Sequence, residues 1–456
     1  MTPKLQMLER TIKRLMRRGA LPSLDNVLSK THAADLGFML PQFSAGQQIL
    51  LIDRAGDDER RAQILSAAET DVAARLLEAL PRQHAVDLLQ RIAPDDVSDL
   101  LQKMEEEVAE EIFQMMRGAD RSEVENLHRY DSETAGGIMS PRFFALHRDL
   151  TAADAISELQ RVHDDLEMVF YVYVVNELGQ LLGVVSLRQL VTTKPGTTLF
   201  DLMTSEIVTV QPDEDQEEVA KIASRYGLLA VPVVGESNKL LGIVTIDDVI
   251  DVLREEATED ILRMAGAGDE LAEQEGVFGA ALQRAPWLFV VVVGGVFGAI
   301  LLATYARRIQ AFIPLVFLVP FVLGLGGVLG LQGAAVMTQR MSAGRLGRLA
   351  AGLFFQSAIG LLIGVVVGAL WGGLYWFWNT HVGGGPPVGL SLIEASAVLG
   401  LSIALAMTLA ATVGSILPIL FNRIRVDPAL AAGPLGAIAI DLLALLVFLS
   451  IGSIWL

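Results

Sequence analysis

The run PWLFVVVVGGVFGAILLATYA, from Pro286 to Ala306, holds no charged residue and divides the chain in two. Its last 20 residues, Trp287 to Ala306, suffice for a membrane helix. At about 1.5 Å per residue, such a helix crosses about 30 Å of hydrocarbon. The whole chain has 53 acidic and 35 basic residues, yet only Glu394, Asp427, Asp441 and seven arginines lie beyond Pro286. Residues 1–285 thus carry a net charge of about −22, and the rest about +4 with no lysine. An acidic half suited to water is joined to an apolar half suited to lipid.

Further apolar runs near 311–337, 349–378, 390–420 and 431–455 predict five spans in all, interrupted at Pro314, Pro320, Pro418 and Pro434. Such breaks persist in a membrane only where protein or a wet cavity satisfies the freed backbone groups. Arg340, Arg345, Arg348, Arg423 and Arg425 fall in loops on the side of the N-terminus, while the opposite loop, Asn379 to Gly389, has no Lys or Arg. That bias predicts a cytoplasmic N-terminal half, with Arg307 and Arg308 counting against it. Met1 to Arg18 is helical and basic but has no apolar core of secretory length, so no signal peptide is expected. The absence of cysteine excludes disulfides and thiolate metal sites. The acidic half has no basic patch, which disfavours nucleic acid as a partner. Six scattered histidines and no phosphate-cradling Gly loop leave little basis for an enzyme.

Asp441 falls about ten residues into the last run, roughly 15 Å deep and near the bilayer midplane. A carboxylate there is costly and calls for a partner, an ion or water. The bland alternative is a protonated Asp bonded to a neighbouring helix. Asp427 precedes Pro428 and reads equally as a helix cap and as a cation-facing mouth. On one continuous helix, fourteen residues would set the two carboxylates about 21 Å apart on nearly the same face, with Gly433-Pro434 as the place where that line would bend. Glu394, at the outer start of the fourth run, is expected only to reach water. Oxygen ligands alone suit a hard divalent cation and argue against copper or zinc. Mg2+ dehydrates reluctantly, so one or two carboxylates with retained water are enough, and two chains around an axis would double them.

In the acidic half, Leu76-Leu77, Leu88-Leu89 and Leu100-Leu101 recur at twelve-residue intervals, with Pro81 and Pro94 in the connections. Units this short must stack to bury their apolar faces, which predicts a small helical solenoid. Asp95 and Asp99 lie four apart on one helix face, either relieved by a bound cation or solvated. Beyond Met139 the chain repeats itself. Met139-Ser140 returns as Met203-Thr204, Tyr173-Val174-Val175 as Pro232-Val233-Val234, and Gly183 to Leu187 as Gly242 to Ile246. Each copy reads helix, two β-branched strands joined by a Gly or Asn turn, then helix. The second leads into an acidic helix on which Asp248, Asp251, Glu255 and Glu259 follow 3/4 spacing. Gly266-Ala267-Gly268 is expected to break that helix.

The tandem copies resemble a pair of CBS domains, modules that commonly bind adenosine nucleotides. The ribose-binding Asp of that pattern is Gln189 in the first copy and Asp248 in the second, which leaves Tyr171 and Arg188 as further nucleotide contacts. The order of parts, with the strings Tyr130 to Ser140, Asp215 to Ala220, Thr245 to Ile261 and Asp427-Pro428-Ala429 through Gly433-Pro434 to Asp441, resembles the MgtE family of magnesium transporters over nearly the whole chain. That likeness implies an all-α helical-repeat N-domain (1–135), two α/β CBS domains (136–200 and 201–254), an acidic connecting helix and linker (255–285) and five transmembrane helices (286–456). It further implies a homodimeric Mg2+ channel of the bacterial inner membrane, multi-pass in lipid with its N-terminal domains cytoplasmic. In such a channel cytosolic Mg2+, bound at acidic sites between N-domain, CBS domains and connecting helix, closes the pore. Carried over by position, the pore ligand is Asp441, with Asp427 near the inner mouth. The regulatory ligands are Asp95, Asp99, Glu217, Asp248, Asp251, Glu256, Glu259 and Asp260, and ATP or another adenine nucleotide is the cofactor expected at the CBS pair.

The second span departs from the family pattern Gly-Gly-Asn-x-Gly-Asn-Gln. Gly326 to Gln332 carries Val328 and Leu331 where that pattern has asparagines, and Ala437, Ile438 and Ala439 replace hydroxyls before Asp441. The departure keeps open a non-conducting membrane-anchored sensor of Mg2+ or nucleotide, or a carrier of Co2+ or Mn2+. A secondary-active exporter would place its membrane part before its CBS modules, the reverse of the order here.

Overall fold

In the computed structural model every residue is described except 1, 163–165, 167–168, 267–275, 343–348, 384–385, 388 and 455–456. Ala267 and Gly268 of the expected break, with the linker to 275, and Arg345 and Arg348 of the topology argument lie outside the described residues. The chain divides into two compact units, Met1–Arg254 and Glu255–Leu456.

The first unit opens with ten described α-helices, from α1 (Pro3–Arg17) to α10 (Gly118–Leu127). Caps and prolines set where these short helices begin: Asp57 caps the start of α5 (Asp58–Ser66), and Pro94 is the first residue of α8 (Pro94–Lys103). None can bury its own stripe, so from the third helix onward a helix leans on the one two further along. The pairs are α5 on α7 (Arg82–Leu89), α6 (Thr70–Ala79) on α8, and α7 on α9 (Glu106–Met115). The three leucine pairs are buried in the shared core that results. This is the stacked helical repeat expected from their spacing.

The repeated modules follow. In the first, β2 (Tyr171–Val175) and β3 (Leu181–Ser186) form an antiparallel hairpin whose turn is held by Asn176, its Oδ1 accepting from the Leu178 and Gln180 amides. Gly179 supplies the positive φ of 74° that the turn needs. A third strand, β1 (Ala145–His147), runs parallel to β2 and was not foreseen from the sequence. Three residues with one buried side chain give no readable alternation. Among the described residues the second module holds the hairpin of β4 (Ala230–Val234) and β5 (Leu240–Thr245), with Val210 bridged in parallel to Val233 in the place that β1 takes in the first.

The recurrence of Met-Ser/Thr and of Gly has a physical cause. Ser140, which leads into the first module, bridges to Ile243 of β5, while Thr204 bridges to Val184 of β3. Each lead-in segment is thus paired with the other module's hairpin. Gly242 lies under Met139 and Gly183 under Met203, so that a Cβ on Gly242 would fall 2.9 Å from the Met139 sulfur. Helix α15 (Ile246–Ala265) then carries the chain into the second unit.

Among the described residues the second unit contains five helices long and apolar enough to cross a membrane: α16 (Gly276–Thr304), α18 (Pro314–Ser342), α19 (Leu349–His381), α20 (Leu392–Arg423) and α21 (Pro434–Gly452). A short helix, α17 (Ala306–Ala311), joins the first two. Helix α20 is central, packed on α18, α19 and α21. Small residues allow these close approaches: Gly364 of α19 rests on Ala404, and Gly330 of α18 on Gly414 of α20. Two of the four prolines do not interrupt as expected. Pro320 and Pro418 lie inside continuous helices, while Pro314 and Pro434 are first residues, where a missing N–H costs nothing. Glu394 forms a capping box with Ser391 at the start of α20.

The two arginines on the unexpected side of the membrane are partly explained. Arg308 donates to Ser453 Oγ (3.3 Å) at the C-terminal end of α21, where a cation complements the helix dipole. Beside it the Tyr305 and Ser450 hydroxyls are hydrogen-bonded at 2.8 Å.

Candidate cation pathway and regulatory carboxylates

Asp441 sits in the second turn of α21 and faces α18 at Gly327. A Cβ on Gly327 would stand 3.1 Å from Asp441 Oδ1, so the glycine leaves room for the carboxylate. Ile440 and Ala444 on either side are fully buried, while Asp441 itself is half-buried. Its Oδ1 is buried and has no hydrogen-bond partner among the described residues. The bland reading, a protonated Asp bonded to a neighbouring helix, therefore finds no bonded neighbour for this oxygen. An oxygen left orphaned at this depth is the donor a cation would complete.

Asp427 is not on the same helix, which corrects the expected straight line of fourteen residues. Asp427 Oδ1 accepts from the Ala429 amide at 2.7 Å and caps a 3-10 turn, Pro428–Ala432. Gly433 is then extended, with φ −90° and ψ −165°, before Pro434 starts α21. The Gly-Pro pair resets the chain direction, so no helical phase links the two carboxylates. The cap reading of Asp427 holds. Its second oxygen, Oδ2, accepts from Arg263 Nη1 of α15 at 2.7 Å.

The regulatory candidates are more dispersed. Among the described residues no three Asp, Glu or His side chains are grouped as a ready metal centre. On α8, Asp95 is buried and Asp99 half-buried. Asp96, which sequence reasoning passed over, is a residue of that helix that meets the acidic start of α15. It accepts from Ser66 Oγ at 2.6 Å, and burial, together with the charges of Asp247 and Asp251, pushes its pKa above the ordinary carboxylate range. The missed signal is tertiary, because spacing along one helix does not reveal which face meets another.

Asp248 serves as a cap, accepting from the Thr245 amide at 3.2 Å and from its hydroxyl. Gln189 does the same for Ser186 in the first module, which explains how Gln replaces Asp there without loss of the helix start. Glu217, at the first turn of α14 (Gln216–Tyr226), is paired with Lys221 at 2.8 Å. Burial opposes the Lys221 ammonium, but Glu217 and Glu218 outweigh it and its pKa is raised. Farther along α15, Glu256, Glu259 and Asp260 are half-buried, and Glu259 pairs with Arg263. Tyr171 is opposite Ser186 in the hairpin and Arg188 follows two residues later, so both stand at one end of the first sheet. Tyr171 packs edge-on against Tyr173, with ring centroids 6.5 Å apart.

Like charges meeting at Asp96, Asp247 and Asp251 work against folding when no cation screens them. Asp96→Asn, which keeps the oxygen that accepts from Ser66, is expected to raise the melting temperature of the full chain by about 2–4 °C in metal-free buffer. Thermal unfolding in detergent micelles reads this; an unchanged or lowered midpoint would show that these carboxylates do not strain the fold.

The matches to known proteins follow the same order of parts. Residues 31–133 match the MgtE intracellular N domain, 135–195 and 199–255 match CBS domains, and 319–451 match the MgtE divalent cation transporter domain. The chain is 36% identical over 340 residues to the magnesium transporter MgtE of Thermus thermophilus, covering 74% of this chain and 73% of that one. The chain belongs to the MgtE family. It is also 31% identical to the MgtE of Bacillus subtilis over 344 residues, covering 74% and 73% of the two chains. A crystal structure of the cytosolic domain of the Mg2+ channel MgtE in complex with ATP superposes with a TM-score of 0.51 at 32% identity, covering 54% of this chain and 99% of that one. Five apolar helices and MgtE membership make the chain a multi-pass inner-membrane protein with cytoplasmic N-terminal domains.

Proposed function

We propose that this MgtE-family chain is a passive Mg2+ channel, a homodimer in the lipid bilayer, closed by cytosolic Mg2+. The buried, unpartnered Oδ1 of Asp441 carries the proposal. A hydrated Mg2+ needs few protein ligands, and a second copy of the chain would bring a second Asp441 to the same path. Asp427 is the inner-mouth carboxylate.

Closure follows from linkage: cations that bind the closed form better shift the population toward it. Asp95, Asp99, Asp248 and Asp251 of the first unit would take part, with Asp96 added on its position facing Asp247 and Asp251. Glu256, Glu259 and Asp260 would act on the connecting helix, and Glu217 once released from Lys221. Because no three of them are grouped in advance, several weak, water-completed sites fit better than one tight centre. A solved MgtE cytosolic domain in complex with ATP supports adenine-nucleotide binding by the cytosolic part, for which the CBS pair, with Tyr171 and Arg188, is the proposed place.

Flux of Mg2+ into liposomes holding the purified full chain tests this reading. Uptake above that of empty vesicles is expected when Mg2+ is low on the N-domain side, with suppression at millimolar concentrations. No uptake would leave a membrane-anchored sensor, in keeping with apolar Val328 and Leu331. Uptake of Co2+ or Mn2+ in place of Mg2+ would reassign the cargo.

A further inference from the structure

The acidic connecting helix carries one base that reaches the mouth. Arg263 is in the last turn of α15 and holds Glu259 through Nη2 and Asp427 through Nη1. The Asp427 pair joins residues 164 positions apart and is partly shielded, the side chains being 32% and 26% exposed. Both oxygens of Asp427 are thereby committed, Oδ1 to the Ala429 amide and Oδ2 to the guanidinium.

The backbone around the pair is fitted to it. A Cβ on Gly433 would lie 3.0 Å from the Arg263 carbonyl oxygen, and one on Gly266 would lie 2.9 Å from Pro434 Cδ. Gly266 also ends α15 with a φ of 64°, which other residues adopt only at a cost. The end of α15 is therefore seated on the turn between the Asp427 cap and the first residue of α21. Thr338, near the end of α18, donates to the Pro428 carbonyl at 3.2 Å and ties that turn to a second span.

We infer that Arg263 is a tethered counter-ion that competes with the divalent cation for Asp427, holding the mouth carboxylate neutralised while the connecting helix is docked. A cation can use Asp427 Oδ2 only after the guanidinium has left it, and a fixed positive charge at that oxygen repels an approaching dication. Glu259 keeps the guanidinium in place one helical turn away, and the planar fork of Arg serves both carboxylates at once. The inference rests on the proposed role of Asp427 at the mouth, but the contact itself can be tested without conduction.

The test is a double-mutant cycle on the full chain in detergent micelles, read by glutamyl-endopeptidase cleavage at Glu255, Glu256 and Glu259 as Mg2+ is raised. Arg263→Gln and Asp427→Asn, in which Asn can still cap Ala429, are each expected to raise the Mg2+ concentration for half-protection by about tenfold, as for loss of a charged hydrogen bond. The double variant should match either single one. Arg263→Lys should restore part of the protection. Additive shifts in the double variant, or an unmoved midpoint in Arg263→Gln, would overturn the inference. Mg2+ flux into liposomes separates the two levels. Coupled cleavage with no wild-type flux removes the channel and keeps the contact; normal flux with uncoupled cleavage does the reverse.

Discussion

Asp441→Asn is expected to lower Mg2+ flux into liposomes by about a hundredfold or more, while the protein elutes from size exclusion at its wild-type volume. Asparagine is nearly isosteric and polar, so the packing beside Gly327 is kept and only the charge is lost. A hundredfold corresponds to about 2.7 kcal/mol of lost stabilisation for an ion leaving bulk water. The same exchange at Asp427 should cost less, since that residue is already spent on a cap and an ion pair. Full uptake by the Asp441 variant would remove this residue from the pathway.

The second large effect is structural. Gly414→Val is expected to leave little or no folded membrane unit, seen as aggregation on size exclusion and a lost thermal transition. A Cβ at residue 414 would overlap the carbonyl of Gly330, a backbone group on α18 that no rotamer change can move aside. Overpacking usually costs about 1–3 kcal/mol, and more where backbone must give way. Gly373→Val is the matching control, because nothing lies within 4 Å of a Cβ there. If both variants fold alike, the close approach of α18 and α20 does not set the architecture.

Much of the fold was legible because its signals are local. Leucine pairs at a fixed interval announced stacking helices, and a repeated Gly announced paired hairpins. Asp441 could be singled out because a charge in an apolar run stands out by itself. Errors arose where partners are distant or where one residue resets the chain. Pro320 and Pro418 read as interruptions, yet neighbouring helices hold α18 and α20 continuous around them. Asp427 and Asp441 read as one line with a bend at Gly433-Pro434, and the extended Gly433 in fact separates them altogether. Arg263 went unnoticed inside an acidic run because its partner lies far along the sequence. Only its spacing of four from Glu259 offered a hint. Asp96 was hidden for the same reason, being defined by what another helix brings against it.

The bonds of Arg308 and Tyr305 at the far end of α21 bear on how that helix can move. One tip is fastened to the exit of the first span and the other to the end of α15. If the inner tip alone were unfastened, the bonds at the outer end would act as a fulcrum and favour a swing of α21 over a slide. Asp441 stands eleven residues above Gly452 on an eighteen-residue arm, and would travel roughly three-fifths as far as Pro434. The site at mid-depth would move with the helix, by less than the cytoplasmic doorway widens.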